Sequence, residues 1–411
     1  MVYVEYAKRR YDAAIREIER LKQSEFPYTH IRDALSQLET EFRLQRASLD
    51  KITAKSSPPI AKNACSQTLA FLFINTPYLG FVLRATNVRN AFETYAPVLR
   101  LARRLLGSDT KLVLSSEWDY SPFVYLPTAE LPNFVLIGVP AFESSNPLLI
   151  SLAGHELGHN VWNQQDLGKK FDAALRDEVL KALKTTFWND YQQIYPNTQP
   201  SELLTSMYAR QTWLPAHVFA KRQLEEIFCD VMGLRLFSEA YLHAFAYLLS
   251  PCIPGERSPT YPTIQARVKY LLEAANTLGV TAPLNYADLY DSQADLANPA
   301  MNLMVSIADS AVSAVVSLVV SEAMSFADSK SVPKKSITKT AEVRKDFQMM
   351  IPSADRTSLT DIVNAGWECF HDEKLWNHVT QIRPEDRSRV LHDLVLKSFE
   401  VSEVCERVGS T

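Results

Sequence analysis

Residues 151–162 read SLAGHELGHNVW, so two of the chain's eight histidines stand four positions apart, with a glutamate directly after the first. On an α-helix, residues i and i+4 project from the same face, so His155 and His159 can direct ring nitrogens at one ion while Glu156 lies beside it. Pro147 suits the first position of such a helix, and the segment that starts there is most simply one helix. The alternative interpretation is an ordinary buried helix with two hydrogen-bonded histidines.

The composition is typical of a globular cytoplasmic protein. The 411 residues are 46% hydrophobic and 22% charged, which leaves room for roughly two to three domains. A net charge of −4 gives no overall attraction to nucleic acid or to an anionic membrane. The five cysteines are scattered and form no CxxC pair, which favours a reducing compartment. The first residues contain no apolar run followed by a small-residue cleavage site, so we expect no secretory signal.

The apolar pattern divides the chain into a helical arm, a central domain and a helical C-terminal region. Apolar residues at spacings of three and four, with a break at SEFPYT, predict a helical hairpin or short coiled-coil arm over residues 1–56. The segment TAKSSPPIAK at 53–62 is typical of a linker, and the central domain is predicted over 57–290. The C-terminal region, predicted over 291–411, contains a second linker-like segment, ADSKSVPKKSITKT, at 327–340.

Short apolar runs separated by Pro, Asn and Ser lie between residues 111 and 141 and predict a small antiparallel sheet. From about residue 146 onward, nearly all of the pattern is helical. The predicted fold class is therefore α+β and mostly helical.

One apolar stretch is long enough to raise the question of a membrane span. Residues 310–321, SAVSAVVSLVVS, are bracketed by Asp309 and Glu322. These twelve residues fall short of the ~20 needed to cross a bilayer. We therefore expect a buried helix there and no stable membrane insertion.

A second helical segment, RQLEEIFCDVMGLRLF at 222–237, carries acidic residues that a metal site at the two histidines would still lack. Glu226 and Asp230 stand four positions apart and so share a helix face, whereas Glu225 is predicted to be solvated. Two imidazoles leave a tetrahedral zinc ion two ligands short, so a carboxylate ligand is needed. A second carboxylate that accepts the free N–H of a ligand histidine completes the predicted arrangement.

These segments resemble the gluzincin metallopeptidases, in particular the group of the CAAX prenyl endopeptidase, the membrane heat-shock peptidases and their soluble relatives. The metzincin pattern is excluded, because Trp162 and Gln165 stand where it needs glycine and histidine. The gluzincin group has a His-Glu-x-x-His helix, a Glu-x-x-Ala-Asp helix followed by Gly, and a later Thr-His-Pro-Pro-Leu-x-x-Arg segment. The matching residues here are His155, Glu156, His159, Glu226, Cys229, Asp230, Gly233, Tyr261, Pro262 and Arg267. Cys229 replaces the usual Ala, Tyr261 stands where the group has His, and the long membrane helices of its best-known members are absent, which implies a soluble form.

The resemblance implies peptide-bond hydrolysis with one Zn²⁺ per chain. Zinc is expected on His155, His159 and Glu226, with Glu156 as general base and Asp230 orienting one of the histidines.

Three further residues are candidates for stabilising the transition state. Tyr261 comes first, because a hydroxyl can donate a hydrogen bond to an oxyanion, and His243 and Arg267 follow, with a structural role as the alternative for Arg267. The strand NFVLIGVPA at 133–141 is predicted to be the sheet edge that receives an extended peptide.

The leading functional prediction is a zinc endopeptidase that acts on a protein or peptide substrate. The alternatives are a zinc-containing pseudopeptidase that serves as a protein-binding regulatory module, and a metal-free interaction scaffold. The helical arm is compatible with a regulatory protein partner and with an oligomer. No nucleic-acid partner is expected, since the Lys-rich residues 330–345 are typical of a solvated linker.

Overall fold

The computed structural model describes residues 2–53, 56–84, 91–117, 123–125, 128–143, 145–250, 255–379 and 381–408. The chain forms two compact units, and the division falls next to the His-Glu-x-x-His segment. The first unit comprises residues 1–103 and 107–146, and the second comprises residues 104–106 and 147–411.

The first unit begins with the predicted helical hairpin. Its helices are α1 (Val2–Lys22), α2 (Thr29–Asp50), α3 (Pro58–Arg84) and α4 (Ala91–Leu106), the last three residues of which cluster with the second unit. The break at SEFPYT falls between α1 and α2, as predicted. The predicted linker at 53–62 is shorter in the structure, because α3 already begins at Pro58 and proline is well tolerated in the first turn of a helix.

A three-stranded sheet completes the first unit, and it differs from the prediction in two respects. The strands are β1 (Lys111–Glu117), β2 (Phe123–Tyr125) and β3 (Phe134–Pro140), in the order β1-β3-β2. Strands β1 and β3 pair in parallel, while β2 pairs with β3 antiparallel, so the sheet is mixed and the prediction of an antiparallel sheet was wrong. Strand β3 lies in the middle, so its backbone is paired on both sides and it is not the edge predicted to receive a peptide.

One apolar core joins the arm to this sheet. Buried side chains of α1, α2 and α3 form a single cluster with Val113 of β1 and with Phe134 and Leu136 of β3. The arm therefore belongs to the same compact unit as the sheet, and neither 56/57 nor 290/291 divides one unit from the other.

The second unit is helical in its described residues and is built around one long helix. Its α-helices are α5 (Ala153–Gln164), α6 (Leu167–Lys170), α7 (Asp172–Thr185), α8 (Trp188–Ile194), α9 (Met207–Phe237), α10 (Glu239–Leu249), α11 (Ile264–Leu278), α12 (Pro299–Ser329), α13 (Ile337–Gln348), α14 (Leu359–Phe370) and α15 (Arg387–Val408). Helix α9 packs against α5, α7, α10, α11, α12 and α14, and each residue from Gln223 to Phe237 is buried. The predicted α+β, mostly helical class is confirmed at this level.

Two predicted segments of the second unit are more structured than expected. The helix predicted from Pro147 is a 3₁₀ helix over Pro147–Leu152 followed by α5. The linker-like residues 327–340 are partly helical and are tied to the core, because Arg235 of α9 donates to Asp328 and to the carbonyl of Val332.

Helices α3 and α12 are long and apolar enough to cross a membrane by length and composition. Half of the most apolar 18-residue window of α12 is buried in the structure, against 28% of that in α3. The two acidic residues that bracket the apolar stretch of α12 form ion pairs, Asp309 with Arg257 and Glu322 with Lys170. The expectation of no stable membrane insertion stays a prediction.

Candidate metal centre

Helices α5 and α9 cross in backbone contact, and this contact places the two histidines beside the acidic residues of α9. A Cβ atom added to Gly154 would lie 2.9 Å from Cα of Gly233, and one added to Gly158 would lie 2.8 Å from Cα of Cys229. Only residues without a side chain allow two helices to approach so closely. From Gly154 to Gly158 along α5, the contact moves back along α9 from Gly233 to Cys229. The two helices therefore run antiparallel here.

The two histidines present their Nε2 atoms to one carboxylate. Oε2 of Glu226 lies 3.3 Å from Nε2 of His155, and Oε1 lies 3.7 Å from Nε2 of His159. For a tetrahedral zinc ion with bonds of 2.0–2.1 Å, neighbouring ligand atoms lie roughly 3.3 Å apart. The Glu226 carboxylate therefore stands close to the separation from each ring that one such ion requires.

The opposite nitrogens are held by two further carboxylates. Nδ1 of His155 lies 2.9 Å from Oδ1 of Asp230, and Nδ1 of His159 lies 2.9 Å from Oε1 of Glu225. Because a carboxylate accepts the Nδ1–H, each contact leaves the Nε2 lone pair available. A neutral ring held in this way has the tautomer that can bind a metal ion. Burial lowers the pKa of His155, but Asp230 and Glu226 outweigh burial and raise it to about 10, so zinc would have to displace the proton on Nε2.

One atom in this cluster lacks a hydrogen bond. Oε2 of Glu226 is buried and accepts no hydrogen bond within the described part of the chain. A buried polar atom without a partner costs free energy, and coordination of a metal ion would remove that cost. The orphaned oxygen faces Nε2 of His155, so the donor set of two imidazoles and one carboxylate fits a zinc ion.

Cys229 offers a second way to complete a metal site. Ligand atoms of His155, His159 and Cys229 all lie within 4.8 Å of one another, so these partly to fully buried residues could hold a metal ion. Burial raises the pKa of the Cys229 thiol well above its ordinary value, and the charge of Glu226 adds to the shift. A thiol must lose its proton to ligate, so we favour Glu226 as the third ligand.

A buried hydrogen-bond network supports Asp230. Arg267 donates from Nε to Oδ2 at 2.8 Å and from Nη2 to Oδ1 at 2.7 Å, and the hydroxyl of Tyr241 donates to Oδ1 at 2.8 Å. Burial alone raises the pKa of the Asp230 carboxyl, but Arg267 and His155 outweigh burial and hold the pKa well below its usual range. Asp230 therefore stays ionised and able to orient His155.

Glu156 lies in the same buried cluster, but the pKa of its carboxyl is raised, whereas that of Asp230 is lowered. It is 5% exposed, and burial raises the pKa of its carboxyl, while His155 and His159 oppose the shift. A raised pKa brings a carboxyl closer to the neutral range in which it can both accept and return a proton.

Tyr261 stands next to the cluster at the surface. Its ring is 44% exposed and lies under the Arg267 guanidinium, 5.6 Å from ring centre to the guanidinium carbon. The charge of Glu226, together with burial, raises the pKa of the Tyr261 hydroxyl to about 12, so the phenol keeps its proton at neutral pH.

The remaining residues considered in the sequence analysis, Glu225, Arg267 and His243, have different surroundings in the structure. Glu225 is 5% exposed and contacts His159, so the prediction that it is solvated was wrong; the α5–α9 crossing buries it. Arg267 contacts Asp230 and lies 4.0 Å from Glu226, which makes it a residue that positions the site. His243 stacks on Trp367 and lies 3.1 Å from His371, in contacts outside the metal cluster. A role of His243 in stabilising a transition state stays a prediction.

Tyr241 is a member of the site that the sequence did not reveal. It lies on α10, and its hydroxyl donates to Asp230 of α9. The sequence did not reveal it, because a buried tyrosine in an apolar helix has no distinguishing spacing. One signal was available: a Cβ added to Gly233 would lie 2.3 Å from the Tyr241 ring, so the glycine expected after the Glu-x-x-x-Asp pair makes room for it.

No family model matches the chain, and neither a curated protein nor a solved structure matches it.

Proposed function

We propose that this protein is a zinc-dependent endopeptidase of the gluzincin type. The observation that supports the proposal is the position of the Glu226 carboxylate, which faces Nε2 of both His155 and His159. The other ring nitrogen of each histidine is held by a carboxylate, so the three donors are pre-oriented toward one point.

The donor set of His155, His159 and Glu226 is the one that would hold the zinc ion. When bound, zinc would supply Lewis-acid activation of a water molecule and of the substrate carbonyl. The residues that hold it are anchored by Asp230 and Glu225, since a histidine whose Nδ1–H is accepted by a carboxylate is a stronger and better-oriented ligand.

Glu156 is the proposed general base. It follows His155 on α5, is buried beside both histidines, and has its pKa raised by burial. Its carboxylate accepts a proton from the attacking water and returns that proton to the leaving amine. The Tyr261 hydroxyl, protonated at neutral pH, is the proposed donor to the developing oxyanion.

The test compares the wild type with Glu156→Gln, a substitution that keeps size and hydrogen bonding but removes the base. The purified proteins are loaded with zinc and incubated with a mixed peptide library, and the products are sequenced by mass spectrometry. Glu178→Gln, which removes a partly buried carboxylate paired with Lys181, is the matched control. We expect cleavage by the wild type and the control, and none by Glu156→Gln.

Two other outcomes would overturn the proposal. Cleavage that survives unchanged in Glu156→Gln would contradict the role of Glu156 as general base, and with it the proposed mechanism. Zinc bound at one ion per chain with no cleavage by the wild type would instead favour the binding-module alternative.

A further inference from the structure

Helix α9 has two halves of different character. Each residue from Gln223 to Phe237 is buried, and this half carries the metal cluster. The half before it keeps an exposed face with large apolar side chains. Met207 is 79% exposed, Leu214 is 40% exposed and Val218 is 48% exposed. We call these three residues the apolar stripe of α9; exposed apolar surface of this kind commonly marks an interaction site.

The apolar stripe lies in line with the metal cluster. Met207, Leu214 and Val218 precede Glu225 by 18, 11 and 7 residues. At 3.6 residues per turn, each points within about 20° of the direction of Glu225. The stripe therefore lies on the same side of α9 as Glu225, whose carboxylate contacts His159.

The distances along the helix match an extended polypeptide. With a rise of 1.5 Å per residue, Val218 lies ~10 Å and Leu214 ~16 Å along the axis from Glu225. An extended chain advances ~3.3 Å per residue, so these positions correspond to about three and five residues from the metal cluster. The ~6 Å between Leu214 and Val218 also matches the ~6.6 Å between alternate side chains of a strand, which point the same way.

The charges on this half of α9 are consistent with a polypeptide that has apolar and acidic side chains. Residues 207–224 contain no Asp or Glu. They do contain Arg210, Lys221, which pairs with Asp172 at 2.9 Å, and Arg222, which lies between the stripe and the metal cluster, 3.1 Å from Glu225. This half of the helix therefore carries no charge that repels an acidic residue.

We propose that the apolar stripe binds the substrate polypeptide in an extended conformation. Favoured substrates then carry large apolar side chains about three and five residues from the cleaved bond, on one side of it. The inference rests on the proposed peptidase function and names its substrate class. An anionic membrane surface could also contact apolar and cationic residues, but it would not account for the alignment of the stripe with the metal cluster.

The experiment uses a double variant, Leu214→Ser with Val218→Ser, beside the wild type. The control is Leu318→Ser on α12, which removes an apolar side chain of comparable exposure, 53%. In the peptide library, we expect wild-type products to be enriched in Leu, Ile, Phe or Met at these two positions. The double variant should lose the enrichment, and its kcat/KM on the best peptide should fall ~10-fold or more through KM, since two apolar contacts are removed. The control should match the wild type.

Wild-type cleavage without this enrichment, or an unchanged double variant, would overturn the inference while leaving the peptidase intact. A wild type that cleaves nothing would overturn the peptidase instead, and binding then tests the stripe separately. The Glu156→Gln protein is titrated against a fluorescein-labelled peptide that alternates leucine with serine, and against vesicles of phosphatidylcholine with phosphatidylserine. Peptide binding that the double substitution weakens supports the inference; vesicle binding without peptide binding, or no binding to either, contradicts it.

Discussion

The carboxylate of Glu225 lies 2.9 Å from Nδ1 of His159, while its neighbour in sequence, Glu226, faces Nε2 of the same ring. Successive residues of a helix point about 100° apart. Two adjacent glutamates can therefore face the two nitrogens of one imidazole only when the ring lies between their side chains. Glu225 thus orients His159, and Glu226 would hold a metal ion together with that histidine.

Glu225→Gln should weaken zinc binding without unfolding the protein. The amide keeps the size of the side chain but removes the negative charge that fixes the Nδ1–H of His159. Loss of such a partner typically lowers metal affinity ~10–100-fold. Competition with a chromophoric chelator measures the affinity, and circular dichroism reports the fold. Glu178→Gln is the control, and equal affinities for the two variants would contradict the assigned role of Glu225.

Gly158→Ala should destabilise the second unit and disturb the histidines. The added Cβ would lie 2.8 Å from Cα of Cys229 and 3.1 Å from its Sγ, so α5 and α9 would have to separate. Overpacking of this kind costs ~1–3 kcal/mol in the free energy of unfolding. Urea unfolding checks the loss.

Gly168→Ala on α6 provides the comparison for that measurement, because its nearest atom, Nε1 of Trp162, would lie at an ordinary 3.5 Å. We expect Gly168→Ala to be neutral or slightly stabilising, as alanine is a better helix former than glycine. A loss as large as that of Gly158→Ala would show that the crossing is not unusually tight.

The sequence predicted which site residues lie close together better than it predicted the sheet, for a physical reason. A spacing of four residues determines a shared helix face locally, so the histidine pair and the Glu226–Asp230 pair could be recognised. Strand order depends on which distant segments pair, and short apolar runs occur in parallel and antiparallel sheets alike. One signal in β3 was available: FVLIGVP is apolar almost throughout, which is typical of a strand covered on both faces.

The surroundings of individual acidic residues could not be predicted in the same way. Glu225 was expected in solvent because adjacent glutamates usually diverge toward water. Its burial follows from the packing of α9 among six other helices, which is a property of the tertiary fold. Tyr241 and Arg267 likewise meet at Asp230 from two different helices, α10 and α11.

His243→Gln should make the protein less sensitive to acid. Burial, with a smaller contribution from His371, lowers the pKa of His243 to about 4, while the charges of Glu239 and Lys335 act in opposite directions. A histidine whose folded pKa lies below its unfolded value of ~6.5 binds protons more readily in the unfolded state, so stability falls as the pH drops below ~6.5. Glutamine removes this contribution.

Urea unfolding at pH 7.5 and pH 5, with chelator present so that zinc release adds nothing, measures that difference. The wild type should lose more stability between the two pH values than His243→Gln. An identical loss in both proteins would mean that His243 does not contribute to acid sensitivity.

Tyr261→Phe should reduce catalysis while leaving zinc binding unchanged. Phenylalanine keeps the ring against the Arg267 guanidinium, so only the hydroxyl is removed. An oxyanion donor acts in the transition state, and its loss typically lowers kcat ~100-fold or more with little change in KM. Steady-state kinetics on a peptide found in the library, together with zinc content, provides the measurement. A purely structural role for Tyr261 predicts the opposite result: kcat preserved in Tyr261→Phe, because the packing against Arg267 is retained, and lost in Tyr261→Ala.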